Sequence, residues 1–144
     1  MSVKKVMIHS YSSVIIDVLK SLSERALNVE VITTEAHPSS QTTNGQKVQQ
    51  KCDELGLHCR IIPDSAVAIH MPEVDCVLVG CEAVLANGGI VNKVGTYSVS
   101  LIAGHFQKPV YVFCESYKFM QEFPLGQDDV FELLYKIEGQ ETQV

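Results

Sequence analysis

The sequence predicts an α/β fold, in which helices flank a doubly wound, mostly parallel sheet of about five or more strands. Short β-rich runs alternate five times with longer amphipathic stretches, the pattern of β-α-β units. Residues 74–79 are almost wholly apolar, as expected for a central parallel strand that is buried on both faces. The 144 residues are 46% hydrophobic and show no linker or repeat. We therefore expect one domain spanning residues 1–144.

Two strand–helix units are predicted in the first half of the chain. Residues 5–9 form the first strand and residues 29–33 the second. Ser12 or Ser13 can cap the helix that follows the first strand. The apolar residues of this helix recur at three- and four-residue spacing: Val14, Ile15, Val18, Leu19 and Leu22. The second helix covers about residues 46–55 and ends at the glycine that follows.

The second half of the chain continues the same alternation. Residues 58–62, 74–79 and 110–114 are predicted as the third, fourth and fifth strands. Residues 66–71 form a short helix and residues 93–106 a longer one, each lying between two of these strands. Helical connections of this kind make the strands parallel.

Composition excludes several classes of function. Eleven Lys and Arg residues against 17 Asp and Glu give a net charge of −6, which argues against nucleic acid binding. The cysteines lack CxxC spacing and the histidines lack metal-ligand spacing, so we expect neither a disulfide framework nor a metal site. We find neither a membrane-length apolar run nor a leader, and therefore expect a cytoplasmic protein that binds no membrane. The turn after the first strand lacks GxGxxG, which disfavours NAD, and we predict no cofactor.

Polar loops follow the predicted strands at the carboxyl edge of the sheet, where open α/β sheets bind ligands. These are loops 9–13, 35–41, 80–93 and 115–118. The stretch 80–97, GCEAVLANGGIVNKVGTY, is the most informative, because it combines glycines, an acid, two asparagines and a lysine in one strand-to-helix connection. The sequence thus predicts that any ligand site lies at this edge.

Two side chains of this stretch are candidates for chemistry. Glu82 follows a buried strand and could act as a general acid or base if burial raised its pKa; alternatively, its carboxylate bonds to loop N–H groups. Lys93 lies near Gly95 and a predicted helix N-terminus, an arrangement suited to phosphate. The structural alternative is an ordinary turn at residues 87–89, with Asn92 as a helix cap.

Three further side chains lie at the same edge. His9 ends the first strand and is either a ligand-binding or a structural histidine. Cys81 is interpreted as a small packing residue rather than a nucleophile, because no partner base is identifiable. Glu115 ends the fifth strand and is either functional or part of a turn.

Several segments resemble one known family in order and spacing. They are HSYSS, TTEAHPSSQ, VDCVLVGCEAVLANGGIVNKVGTY and KPVYVFCESYKF. Together they resemble the Rossmann-like C-terminal domain shared by the regulatory subunits (alpha, beta and delta) of eukaryotic translation initiation factor 2B and by the isomerases of ribose 1,5-bisphosphate and methylthioribose 1-phosphate. The FPLGQDDV tail resembles the alpha subunit most, with beta as the nearer alternative.

The resemblance distinguishes enzymes from regulatory subunits at two positions. The isomerases have a cysteine directly after the first-loop histidine and an aspartate in the glycine-rich motif. Here Ser10 and Glu82 occupy those positions; a hydroxyl ionises less readily than a thiol, and a glutamate displaces the carboxylate. The resemblance therefore implies a non-catalytic protein with two degenerate positions. An aldose–ketose sugar-phosphate isomerase that uses Glu82 is the alternative, and a nucleotide-binding module is a weaker one.

Other positions match residues that hold substrate in the related enzymes. These are Gln41, Asn92 and Lys93, whereas His37 stands where the family has arginine. The resemblance thus implies that the protein binds a sugar phosphate without turnover. The implied site consists of His9, Ser10, Gln41, Glu82, Asn92 and Lys93.

The resemblance also implies a role in translation. It is that of a regulatory subunit of the guanine-nucleotide exchange factor for initiation factor 2, acting through subunit assembly and sensing of phosphorylated initiation factor 2. The implied partners are other factor 2B subunits, initiation factor 2 and a second copy of this domain. We expect the family's N-terminal helical domain to be absent from this chain. The aromatic-bearing tail, residues 117–131, is either a docking surface or a cover for the domain's own sheet.

Overall fold

A five-stranded parallel sheet forms the centre of the protein. The computed structural model describes residues 3–36, 42–126 and 129–130. The strands are β1 (Lys5–Ile8), β2 (Glu30–Thr34), β3 (Cys59–Ile62), β4 (Cys76–Val79), β5 (Ala83–Val84), β6 (Ile90–Val91) and β7 (Val110–Val112). The helices are α1 (Ser13–Glu24), α2 (Asn44–Glu54), α3 (Val67–His70) and α4 (Thr96–His105). The sheet has the order β3-β2-β1-β4-β7, which confirms the predicted fold class.

Helices cover both faces of the sheet because its strands carry apolar side chains on both. On one face, Ile8 and Leu78 pack with α1 and α2 in one core cluster. On the other, Met7 and Val77 pack with α3 and α4 in a second cluster. Every residue of β4 is buried, as predicted for a central parallel strand.

The strand order reverses next to β1. From β1 the chain continues to β2 and β3 on one side, whereas β4 and β7 lie on the other. At such a switch point the loops after the two central strands diverge and leave a crevice outside their carboxyl ends. The loops after β1 and β4 are therefore the ones that build a site.

Two predicted helices differ in the structure. The helix predicted at 93–106 begins at Thr96, because Gly95 adopts a φ of 99°, outside the helical region. The helix predicted at 66–71 is only four residues long as α3, and a 3₁₀ turn lies on each side of it. Ser12 occupies the N-cap position of α1, but its side chain makes no capping hydrogen bond.

A small hairpin, which the sequence analysis did not predict, lies within the glycine-asparagine stretch. Strands β5 and β6 pair antiparallel, and the chain after β7 returns to extend them through a bridge between Val84 and Phe119. Met120 packs on the small cluster under this hairpin. Phe119 and Phe123 are 64% and 62% exposed, so these two rings do not cover the domain's own sheet. Phe131, the last ring of the predicted tail surface, lies outside the described residues.

Candidate functional site

A cleft of about 230 Å³ lies at the carboxyl edge between β1 and β4. It is lined by residues 9–13, residues 80–82, Asn92 and Lys118. Four of the predicted site residues, His9, Ser10, Glu82 and Asn92, are therefore brought together. The predicted Gln41 and its neighbour His37 lie outside the described residues.

Ser10 combines backbone strain with an unsatisfied hydroxyl. It is a non-glycine residue with a φ of 65°, a conformation that costs on the order of 1–2 kcal/mol. The residue is buried, and its Oγ makes no hydrogen bond to any described residue. A buried hydroxyl without a partner costs about 1–3 kcal/mol. Both costs are concentrated in one residue of the cleft wall, which is typical of a site kept for a ligand.

His9 links three elements at the cleft. Its Nε2–H donates to the carbonyl oxygen of Val94 at 2.8 Å, so in the neutral ring Nδ1 accepts from the hydroxyl of Thr34 at 2.7 Å. Gly95 lies against the ring, since a Cβ placed there would be 2.5 Å from the His9 Cε1. Both ring nitrogens are thus used internally, and His9 acts on the cleft by fixing the start of α4. Thr34, its partner, was not identified from the sequence.

The structure shows Glu82 neither as a buried general acid or base nor as a carboxylate bonded to loop N–H groups. Its backbone N–H donates to Val91 O at 2.8 Å, but its carboxylate makes no hydrogen bond among the described residues. The side chain is exposed, so the burial that a general acid or base would need is missing. The carboxylate neither holds the turn nor is buried; it faces the cleft as an open acceptor.

Lys118 supplies a fixed positive charge that the sequence analysis did not single out. Its Nζ donates to Cys81 O at 2.8 Å and pairs with the Glu115 carboxylate at 2.9 Å. Burial lowers the pKa of Lys118, but Glu115 and Glu82 more than offset this and hold it above its ordinary value. The hydrogen bond from Lys118 in turn lowers the pKa of Glu115. Of the two acids that follow strands β4 and β7, Glu115 therefore serves to hold Lys118.

Asn92 and Lys93 lie just before α4. The Asn92 side chain donates to the hydroxyl of Thr96 at 3.1 Å, and Gly95 rather than Asn92 is the N-cap residue. Lys93 is exposed at the rim, where its Nζ is 3.5 Å from Tyr11 O, and it does not line the cleft. The Asn92 amide thus lines the cleft directly, whereas the Lys93 side chain must change its conformation before its ammonium group can contact a ligand there.

Among the described residues, the structure contains no group of three or more His, Cys, Asp or Glu residues placed to hold a metal ion. Within the same part of the chain, no helix is long and apolar enough to cross a membrane.

Comparison with known proteins identifies the family. The profile of the initiation factor 2 subunit family matches residues 2–139. The chain belongs to this family. A solved relative, translation initiation factor eIF-2B from Pyrococcus horikoshii OT3, superposes with a TM-score of 0.80 at 27% identity, over 86% of this chain and 44% of its own.

Two curated relatives in the family carry different names at nearly equal similarity. Translation initiation factor eIF2B subunit alpha from Dictyostelium discoideum is 38% identical over 128 residues, which is 89% of this chain and 39% of that protein. Ribose 1,5-bisphosphate isomerase from Archaeoglobus fulgidus is 39% identical over 127 residues, 88% of this chain and 40% of that protein. The chain thus spans about two-fifths of each relative. Overall sequence identity does not distinguish a regulatory subunit from an isomerase. The distinction therefore depends on the side chains of the cleft.

Proposed function

We propose that this domain is a non-catalytic regulatory part of a translation initiation factor 2B complex, with the alpha subunit as its counterpart. In this role it acts through subunit assembly and sensing of phosphorylated initiation factor 2 in the cytoplasm, while other subunits exchange the nucleotide. Membership of the family and the alpha-subunit relative support this proposal. The choice against catalysis rests on the two degenerate positions in the cleft.

Those two positions carry little of the chemistry that an isomerase needs. A proton must move between neighbouring sugar carbons, which requires a base that ionises near neutral pH. Ser10 offers a hydroxyl where the related enzymes have a thiol, and the adjacent His9 does not activate it, because both ring nitrogens of His9 bond to other groups. The Glu82 carboxylate is exposed in the described part of the chain, whereas acid–base catalysis on a sugar is favoured where water is excluded.

The same cleft retains what is needed to bind a sugar phosphate. The observation that carries this proposal is the buried, unpartnered Ser10 hydroxyl in a cleft that Lys118 also lines. An ammonium group binds phosphate oxygens strongly where solvent is partly excluded. The open Glu82 carboxylate and the Asn92 amide can bond to sugar hydroxyl groups. Binding without turnover would make the cleft a sensor.

Calorimetric titration with ribose 1,5-bisphosphate and with pentose and hexose monophosphates tests this proposal. We expect saturable heat that Lys118→Met weakens by about tenfold or more, because a charge-assisted bond is worth about 1.5–3 kcal/mol. Lys93→Ala should weaken binding less, since Lys93 stands at the rim. Lys20→Ala, an exposed lysine on α1, is the matched control and should bind as wild type. Absence of heat with every sugar phosphate, or equal binding by Lys118→Met, would refute it.

A sugar-phosphate isomerase is the second candidate, favoured by the 39% identity to the ribose 1,5-bisphosphate isomerase. Turnover of ribose 1,5-bisphosphate or methylthioribose 1-phosphate that is lost in Glu82→Gln would establish it. We expect no turnover above background in either protein.

The assembly proposal concerns the exposed aromatic residues after β7. Tyr117, Phe119 and Phe123 are between 62% and 77% exposed and lie close together in the sequence, which favours this segment as the interface. Affinity capture from the source cells followed by mass spectrometry should recover other factor 2B subunits, and light scattering should show a homodimer. The double variant Phe119→Ser/Phe123→Ser should lose these partners. Ile69→Ser, which removes a hydrophobic side chain that is 76% exposed on α3, is the control and should retain them.

A further inference from the structure

We propose that Cys81 and Cys114 form a redox modification site, in which a reversible disulfide joins the two loops that carry Glu82 and Lys118. Both residues are free thiols in the structure. Cys81 lines the cleft and is buried, whereas Cys114 is partly exposed to solvent. The pair lies directly beside the groups that would hold a ligand.

Strand register places the two cysteines side by side. Strands β4 and β7 run parallel with Val77 opposite Val110 and Val79 opposite Val112. The Phe113 N–H donates to Val79 O at 2.9 Å, so the two chains are still hydrogen-bonded to each other where the strands end. Two residues beyond the last registered pair, both chains arrive at cysteine. Neighbouring strands are about 4.8 Å apart, within the roughly 4.4–6.8 Å between Cα atoms that a disulfide requires.

Side-chain direction also brings the two sulfur atoms to one face. Successive side chains along a strand alternate between faces, and each cysteine lies two residues beyond the registered pair of Val79 and Val112, so the alternation predicts both thiols on one side of the sheet. The two thiols interact there: burial first, and then the neighbouring Cys114 thiol, raise the pKa of Cys81 to about 12. Cys81 is therefore protonated at neutral pH, and the more accessible Cys114 is the thiol that an oxidant meets first.

The chemistry balances with a peroxide as oxidant. The Cys114 thiolate attacks one peroxide oxygen, the O–O bond breaks, and the leaving hydroxide takes up a proton to become water. The sulfur atom of Cys81 then attacks the resulting sulfenic acid, the S–O bond breaks, and a second water leaves with the Cys81 proton. Two thiols lose two electrons in total, and one peroxide gains them. A dithiol reductant reverses the reaction by thiol–disulfide exchange.

Bond formation would change the cleft through Lys118. The lysine donates to the carbonyl oxygen of Cys81 and pairs with Glu115, the residue after Cys114. Drawing the two sulfur atoms to a bonded distance of about 2.05 Å moves both anchors of the ammonium group together. This consequence rests on the proposed sugar-phosphate function, whereas the disulfide itself does not.

Peptide mapping of the intact chain after treatment with hydrogen peroxide, with remaining thiols blocked, tests the bond. Trypsin leaves Cys81 in peptide 61–93 and Cys114 in peptide 94–118, since Lys108 precedes proline, so the bond joins two peptides. Fragmentation then assigns it to Cys81 rather than to Cys76, which lies in the same peptide. Cys52 and Cys59, the other interacting thiol pair, share peptide 52–60 and give a separate signal.

We expect the joined peptide in the wild type and in Cys52→Ser, and at least a tenfold loss of it in Cys81→Ser and Cys114→Ser. Absence of the joined peptide in oxidised wild type, or its persistence in Cys81→Ser, would overturn the proposal. Titration of ribose 1,5-bisphosphate into reduced and oxidised protein then tests the consequence, with an expected change in affinity of at least fivefold. Equal binding by both forms overturns the coupling, and no binding by the reduced form overturns the sugar-phosphate function alone.

Discussion

The two edges of the central sheet differ in how many internal partners their carboxylates have. At the amino edge, charges are paired with one another: the Glu73 carboxylate accepts from Lys5 at 3.3 Å, from Arg60 at 3.0 Å and from His70. Beside it, the Asp75 carboxylate accepts from two successive backbone N–H groups at the start of β1, at 2.7 and 2.9 Å. Each of these two carboxylates has several internal partners.

At the carboxyl edge, some polar side chains of the cleft have no internal hydrogen-bond partner. Among the described residues, the Ser10 hydroxyl and the Glu82 carboxylate make no hydrogen bond, and the Ser10 backbone is strained. His9 and Glu115 do make internal contacts, but those contacts position α4 and Lys118 rather than close the cleft. The comparison indicates that the amino edge serves stability, whereas the carboxyl edge gives up some stability to keep groups available.

The largest effect is expected where His9 meets α4. Gly95→Ala would place a Cβ 2.5 Å from the imidazole at a φ of 99°. We expect a loss of about 3 kcal/mol of unfolding free energy, combining backbone strain with overpacking. Gly88→Ala is the matched control, because its φ is 83° but nothing lies within 4 Å of the added Cβ, and it should cost only about 1 kcal/mol. Equal losses in urea denaturation would show that the contact with His9 is unimportant.

A smaller effect is expected from the second anchor of His9. Thr34→Val keeps the shape of the side chain but removes the hydroxyl that bonds to Nδ1, which should cost about 1–3 kcal/mol. Thr33→Val is its control, since that buried hydroxyl makes only a long 3.4 Å contact. The control should lose less than half as much stability, and the reverse order would argue that His9 is not the anchor of this edge.

The smallest effect concerns the amino edge and its pH dependence. The hydrogen bond from His70, followed by those from Lys5 and Arg60, lowers the pKa of Glu73 to about 2. A lowered carboxyl pKa stabilises the fold above the unfolded value near 4.5 and loses that contribution as the pH falls toward 2. Because the side chain is 36% exposed, solvent screening limits the contribution to about 1 kcal/mol or less.

Thermal unfolding of Glu73→Gln between pH 2 and pH 7 measures this contribution. The gap between variant and wild type should be largest near neutral pH and close as the carboxylate of the wild type is protonated. Glu54→Gln, whose carboxylate pairs with one exposed lysine, should show a smaller gap. A gap that widens on acidification would contradict the assigned direction.

The sheet was predictable because its signal is local. The almost wholly apolar run at 74–79 predicts a strand buried on both faces, and the structure places β4 within it. For α2, whose prediction began two residues late, the capping box of Thr43 and Gln46 is also readable in the sequence. The start of α4 was predicted too early, because Gly95 adopts a φ of 99° where it lies against the His9 ring. A contact between such distant residues has no local signal in the sequence.

The contents of the cleft were only partly predictable, because they depend on contacts between distant segments. Ser10, Glu82 and Asn92 could be placed there, since each follows a strand or lies in the glycine-rich stretch. Lys118 lies in a loop that was predicted at this edge, but its contact with the cleft depends on the pairing of the chain after β7 with Val84, which the sequence did not indicate. The alternative that residues 87–89 form an ordinary turn is confirmed, since they close the β5–β6 hairpin.

Ser10→Ala, measured for both stability and binding, tests most directly whether the carboxyl edge is kept for a ligand. We expect its unfolding free energy to rise by about 1 kcal/mol, because a buried hydroxyl without a partner is removed, while affinity for ribose 1,5-bisphosphate falls. Ser23→Ala, whose hydroxyl donates to Leu55 O at 2.8 Å, should instead lose stability and bind as wild type. If Ser10→Ala is destabilised like Ser23→Ala, or binds as tightly as wild type, the hydroxyl is structural and the account of this edge is wrong.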